Sequence, residues 1–386
     1  MEAWSTHHLF KKALDENLQE SSADNAQKYA AKLRSKNLPV IFSLRHLSKI
    51  TGTEYLSLHS TVNRKKDSCN YSIFSIKKRS GGRRFIHAVN HPLFSVQKFI
   101  NCEILQNVKP HHSSFAFHRS GGIKKCADMH CGAKWILSFD LKDFFYSIKE
   151  SSVYEVFAEL GYKSLLAFEM ARLCTTRRLP QKADKYLNYQ DIPILRNYEQ
   201  SKSYPYEFNH FQGVLPQGAP SSPMLSNLVA RTLDEALYSF SQENSFIYTR
   251  YADDLTFSAT RLPEGKSIGR LKMDIISIIR RHGFIENPKK IRIAGSGSKK
   301  VVLGLLVDGD RSRISKEMYK RIDRLLHAAT KYGIEDTASH EGFKSAYGLF
   351  NHLKGLLLFV KDVDFKRWEF FQEKFQEISG PWENLI

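Results

Sequence analysis

Two β-prone runs, Phe246-Ile-Tyr-Thr-Arg-Tyr251 and Leu255-Thr-Phe-Ser-Ala259, are separated only by Ala252-Asp253-Asp254. Short strands on either side of so short a link predict a hairpin carrying two acids at its tip. A second element, Trp135-Ile-Leu-Ser-Phe-Asp140, is an apolar run too short for a helix; it reads as a buried strand ending on a carboxylate, with Asp143 three residues on. Taken alone, an Asp-Asp pair between strands is ordinary turn chemistry. A strand end beside a hairpin tip, however, is a rigid way to bring acids from distant sequence together. Mg²⁺ takes a few carboxylates plus waters and substrate phosphates, and two such ions ~4 Å apart clamp the attacking and leaving oxygens of a phosphoryl displacement. The pattern suits nucleotidyl transfer.

The charge balance says what such a site would handle. Lys and Arg number 58 against 40 Asp and Glu, a net +18, in a chain whose 42% hydrophobic and 25% charged content is that of an ordinary globular protein. Residues 261–330 alone hold 17 Lys/Arg and 7 Asp/Glu, or +10, so the basicity is concentrated where a nucleic acid could lie. Five scattered cysteines, an odd number, fit a reducing compartment and make the cytoplasm the expected location. No apolar run approaches the ~20 residues a membrane span needs, and no membrane partner is expected. His111, His112, His118, Cys126, His130 and Cys131 match no zinc spacing. Residues 295–300 lack the P-loop spacing.

Along the chain, residues 1–38 read as a polar extension with one or two surface helices. Tyr71-Ser-Ile-Phe-Ser-Ile-Lys77 and Arg83-Arg84-Phe85-Ile86-His87-Ala88-Val89 around Ser80-Gly81-Gly82 predict a basic hairpin. Helices are expected over 151–160, 164–173 and 267–282. One long helix is expected from Ser222, which would cap it, with Pro223 in its first turn. Residues 175–212, rich in Tyr, Asn, Lys and Pro, show no period and read as a loop or insertion. Residues 301–307 read as one strand. Amphipathic helices follow, with Met318, Ile322, Leu325, Leu326 and Ala329 on one face and Lys320, Arg321 and Arg324 off it.

Five ordered blocks carry a family resemblance that spans 77–360, about three quarters of the chain. Tyr248-Thr-Arg-Tyr-Ala-Asp-Asp-Leu-Thr-Phe-Ser258 resembles the catalytic hairpin of reverse transcriptases, and Ser138-Phe-Asp-Leu-Lys-Asp-Phe-Phe145 their first metal-binding motif. Leu215-Pro-Gln-Gly-Ala-Pro-Ser-Ser-Pro223 is similar to the template-positioning motif, Gly283-Phe-Ile-Glu-Asn-Pro-Lys-Lys290 to the next palm motif, and Val302-Leu-Gly304 to the start of the segment after it. The resemblance implies an α+β right-hand polymerase: an extension at 1–38, fingers at 39–135, a palm at 136–305 with the insertion at about 175–212, and a helical thumb at 306–386. It implies Asp140 and Asp253 as main ligands of two Mg²⁺ ions, Asp254 as an auxiliary acid, and the Leu141 carbonyl completing a site. Phe145 would stack under the incoming sugar and exclude a 2′-hydroxyl, which favours dNTPs. Gln217 and Gly218 would sit at the nascent base pair. Arg84, with Lys77, Lys78 or Arg83, would hold the triphosphate, and Lys290 would protonate the pyrophosphate.

Within that family the likeness is to bacterial retron enzymes. These have an Asn-Ala-x-x-His motif, here Cys126-Ala127-Asp128-Met129-His130, and a Val-Thr-Gly motif, here Val302-Leu303-Gly304. His130, Gly304, Lys320, Arg321 and Arg324 are the residues so expected to meet RNA. The implied partners are a cognate non-coding RNA, its msDNA, dNTPs and a separate effector protein of an antiphage system. The 175–212 insertion is expected to touch the effector or the msDNA. The alternatives are a group II-like or diversity-generating reverse transcriptase, and an RNA-binding scaffold whose active site is unused.

Overall fold

A computed structural model describes residues 20–78, 81–180, 212–378 and 380. Residues 1–19, Ser80, most of the expected insertion (181–211) and the last six residues, 381–386, lie outside the described residues. Helices α1 (Glu20–Ser35), α2 (Leu44–Thr51), α3 (Tyr55–Val62) and α4 (Asp67–Asn70) lead to the hairpin β1 (Tyr71–Lys77) and β2 (Arg83–Val89), then to α5 (Leu93–Phe99). Local chemistry sets these boundaries: Ser43 Oγ caps α2 by accepting the His46 N–H at 3.2 Å, and Gly52 ends it at φ 64°. A short α6 (Ile123–Asp128) precedes β3 (Trp135–Asp140), followed by α7 (Glu150–Leu160) and α8 (Ser164–Cys174). Past the undescribed segment come α9 (Ser222–Val229), α10 (Arg231–Glu243), β4 (Ile247–Tyr251), β5 (Asp254–Ala259), α11 (Ile268–Arg281), β6 (Arg292–Ala294), β7 (Val301–Val302) and β8 (Leu305–Leu306). The chain ends in α12 (Lys316–Tyr332), α13 (Ile334–His340), α14 (Ala346–Val363) and α15 (Phe365–Gln376).

The central sheet is antiparallel in the order β4-β5-β3-β6. Alternation along its strands divides the interior: Leu137, Phe139, Leu255 and Phe257 enter the large core with α7–α11, while Ile136 joins a second core built from the β7-β8 hairpin, α12 and α14. The mixed helices and antiparallel sheets are the α+β architecture that the motifs imply. None of the described helices is long and apolar enough to cross a membrane.

Buried ion pairs tie the front of the chain to the sheet's helices. Glu150, wholly buried, accepts from Arg64, from Arg172 Nε at 2.8 Å and from the Gly213 N–H at 2.9 Å. Close by, Thr176 and Val214 exchange two backbone bonds of 3.0 Å. The chain therefore leaves for the undescribed segment and returns from it at one pinned point.

Two expectations need correction. The helix from Ser222 is two helices broken at Ala230, and Ser222 is inside the first turn rather than its cap. Backbone bonds from Ala230 to Ser226 and from Asp234 to Ala230 carry the period across the kink, which is why the apolar spacing reads as continuous. Residues 301–307 form a hairpin: Leu303 at φ 49° and Gly304 at φ 85° reverse the chain within what reads as a single apolar run.

Candidate active site

β3 and β5 pair so that Asp140 is directly opposite Asp254, and the β4-β5 turn carries Asp253 next to that pair. The Leu141 N–H donates to the Asp253 carbonyl at 2.8 Å, fastening that turn to the end of β3 and setting the Leu141 backbone beside the acids. Residues 284–290 then run antiparallel to 140–142, with the Lys142 N–H on the Ile285 carbonyl at 2.7 Å and the Asn287 N–H on the Asp140 carbonyl at 2.8 Å. This brings Lys290 Nζ to 2.5 Å and Asn287 Nδ2 to 3.2 Å from the two Asp140 oxygens. Asp143 is exposed at φ 49° in the turn that follows Asp140.

Like charges directly across a sheet repel, and the site carries that cost. Burial first, and then the charge of Asp140, raises the Asp253 pKa above the ordinary aspartate range. Asp254, open to solvent at one edge, is pushed up to about 6 by desolvation and by the charges of Asp253 and Asp140. Burial opposes the Lys290 ammonium, but the Asp140 hydrogen bond and the three acids hold its pKa above the usual lysine value. Ser138, Asp140, Asp254, Thr256 and Arg292 share one sheet face and line a cavity of about 290 Å³, to which Lys290, Leu303 and Gly304 also contribute.

The basic hairpin sorts its own candidates by the period of two. Arg84 and Ile86 share one face of β2, while Arg83 and its partner Lys77 share the other. Arg83 Nε is taken by Ser75 Oγ at 2.7 Å, whereas the charge of Arg84 reaches Asp253 and offsets a small part of the rise that burial and Asp140 cause. Lys78 is exposed at the hairpin's end. Gly218, at φ 111°, lies against β2: an added Cβ would come 2.8 Å from Ile86 Cγ2 and 3.0 Å from the His87 carbonyl oxygen, next to the 2.8 Å bond from the His87 N–H to the Gln217 carbonyl. Contact with β2 is thus reason enough for a glycine there. Gly218→Ala should lose about 1–3 kcal/mol of stability and most activity; thermal unfolding and primer extension check it, and an unchanged protein would contradict the close approach. Phe145 is half-buried, its ring 5.7 Å from Phe144 and 6.3 Å from Phe117.

The expected RNA contacts separate. Gly304 borders the acids, and Lys320 and Arg324 are exposed on α12, where Arg324 pairs with Glu341 at 3.1 Å; Arg321 is half-buried on the same helix. His130 is corrected. It is wholly buried, bonded through Nδ1 to Ser258 Oγ and through Nε2 to Thr249 Oγ1, both at 2.7 Å, and burial lowers its pKa to about 4. A side chain so enclosed ties the chain after α6 to β4 and β5, on the sheet face that also carries Asp254, and does not present itself to RNA.

Sequence reasoning passed over the group that supports the acids. Arg250, fully buried on β4, donates through Nε and Nη2 to Asp234 at 2.8 and 2.6 Å, and through Nη1 to Asn227 Oδ1 at 3.0 Å and to the Ala252 carbonyl at 3.2 Å. The Tyr248 hydroxyl adds a 2.8 Å bond to Asp234. Ala252 is held at φ 58°, immediately before Asp253. A signal existed: an arginine inside a β-prone run needs a buried partner, and Asp234 sits within the apolar stripe Ala230, Leu233, Leu237.

The sequence profile described as "Reverse transcriptase (RNA-dependent DNA polymerase)" matches residues 76–307. The chain is 28% identical over 337 residues to Retron Ec86 reverse transcriptase of Escherichia coli, covering 87% of this chain and 89% of that one. It is 29% identical over 367 residues to Retron Mx65 reverse transcriptase of Myxococcus xanthus, covering 94% and 77%. It is also 29% identical to Retron Ec73 reverse transcriptase of Escherichia coli, covering 79% and 87%.

Proposed function

Because the chain belongs to the reverse transcriptase (RNA-dependent DNA polymerase) family, we propose that it works as a retron enzyme, copying part of a cognate non-coding RNA into single-stranded DNA primed from a 2′-hydroxyl of that RNA. It is an RNA-directed DNA polymerase. The observation that carries the catalytic reading is the pairing of Asp140 with Asp254, with the Asp253 turn fastened to Leu141 at the end of β3. The likeness to retron enzymes over most of both chains supports the choice of RNA substrate.

Asp140, Asp253, Asp254 and the Leu141 carbonyl are hard oxygen donors of the kind Mg²⁺ takes, and their mutual repulsion is what cations would relieve. Among the described residues no group of three or more acid, histidine or cysteine side chains is gathered closely enough to hold a metal ion by itself. When bound, two Mg²⁺ would activate the attacking hydroxyl and neutralise the triphosphate. Arg84, with Lys78 beyond the hairpin and Lys77 and Arg83 behind it, would draw the triphosphate in. Lys290 holds a proton at Nζ, beside Asp140, that the departing pyrophosphate can take. Phe145 would exclude a 2′-hydroxyl, Gln217 and Gly218 would border the nascent pair, and Gly304, Lys320, Arg321 and Arg324 would follow the RNA. An effector protein of an antiphage system is the proposed partner of the RNA-DNA hybrid.

The test is to purify the protein from cells carrying its native flanking DNA, treat the bound nucleic acid with RNase and run it on a denaturing gel. A discrete short DNA that shifts on debranching is the expected result. Heterogeneous unbranched DNA would favour a group II-like or diversity-generating lineage, and RNA without DNA would favour the scaffold.

A further inference from the structure

Phe117 is held where a phenylalanine does not settle by itself. Its φ of 69° lies in the left-handed region, a genuine outlier for a bulky side chain, and the residue is 37% exposed. Strain of this kind is unfavourable and persists only where the surroundings over-determine it. Here they do. The Phe115 N–H donates to the Arg250 carbonyl at 2.8 Å, Asn227 Nδ2 donates to the Ala116 carbonyl at 2.7 Å, and Gln106 Nε2 donates to the Phe117 carbonyl at 3.0 Å.

The loop is also closed on itself. The Gly122 N–H returns to the Phe115 carbonyl at 2.9 Å, and the His118 ring bridges the Ser114 carbonyl at 2.8 Å and Ser120 Oγ at 2.9 Å. A Cβ on Gly121 would lie 2.1 Å from the Phe115 carbonyl oxygen, so the closure depends on that glycine. Two of the anchors, Arg250 and Asn227, belong to the network that holds the Asp253 turn. Phe117 is therefore indexed to the catalytic strand, and what it presents is a ring 6.3 Å from Phe145, tilted by 45°.

We propose that Phe117 determines sugar specificity by backing Phe145: the two rings form one wall of the incoming nucleotide's sugar pocket, and Phe117 denies Phe145 the space to yield to a 2′-hydroxyl. This rests on the proposed role of Phe145 as the sugar-excluding ring. It accounts for a strained and half-exposed aromatic being braced from three directions.

The test is primer extension by the full chain on an RNA template, with kcat/KM measured separately for a dNTP and the matching rNTP. Phe117→Asn removes the ring while asparagine accepts the left-handed backbone. Phe117→Leu keeps apolar volume should the first variant fold poorly, and Phe117→Tyr restores a ring. The expected result is a fall of about tenfold in dNTP preference for the Asn and Leu variants, through a gain in rNTP kcat/KM, with preference retained by Phe117→Tyr. Phe145→Ala is run alongside. If Phe145→Ala relaxes selectivity while Phe117→Asn and Phe117→Leu do not, the backing role is overturned. If Phe145→Ala leaves selectivity intact, the reading of Phe145 fails and the proposal falls with it.

Discussion

Asp253→Asn is expected to reduce primer extension at least about a thousandfold, roughly 4 kcal/mol of transition-state stabilisation, while leaving the fold intact. The activity loss follows from the chemistry of the site: asparagine keeps the shape of the side chain but removes the charge that would hold a cation against the phosphates. The sign of the stability effect follows from the pKa shift. Folding raises the Asp253 pKa, through burial and the charge of Asp140, so the folded chain binds that proton more tightly than the unfolded one. The neutral form suits the fold at low pH, and that advantage is lost as pH rises through the folded pKa. At pH 7 and without metal, the ionised carboxylate thus works against folding, and asparagine relieves it. Unfolding of the variant should come at the same temperature as the parent or slightly higher. An inactive variant that also unfolds early would mean that Asp253 is structural, and an active one would remove it from the site.

Arg250→Met is expected to cost about 3–5 kcal/mol of stability, because Asp234 is left as a buried charge with no counter-ion. Both side chains are wholly inaccessible and joined by two hydrogen bonds. Adding Asp234→Asn should recover part of the loss, so the pair should be non-additive. Arg250→Lys keeps the charge but not the planar fork that reaches Asp234, Asn227 and the Ala252 carbonyl together. It should lose activity more than stability, since the Ala252 turn that carries Asp253 loosens. Denaturant unfolding and primer extension on the three variants check this. A stability change under 1 kcal/mol for Arg250→Met would show that the network does not carry the hairpin.

The elements that carry the paired acids were legible because their signals are local. The 246–259 hairpin and the 135–140 strand declare themselves by composition and length, and their acids are at the positions that pairing brings together. The basic hairpin was legible for the same reason. Chain reversals inside apolar runs were not: Leu303-Gly304 turns within a stretch that alternates like a strand, and the kink at Ala230 preserves a helical period. His130 was misread for a related reason. Its motif is visible in sequence, but its two hydroxyl partners, Ser258 and Thr249, are more than a hundred residues away.

The sequence by itself determined the acid-bearing strand and hairpin, the basic hairpin and the order of the family motifs, because strand period, turn residues and ordered motifs are properties of neighbours along the chain. Only the tertiary structure decided what each of them meets. It set Lys290 on Asp140, withdrew His130 into the core and braced Phe117 against the strand that carries Arg250. Those outcomes depend on burial and on contacts between distant segments, and burying a polar or charged group is tolerable only when the fold supplies its partner; no window of sequence contains that partner.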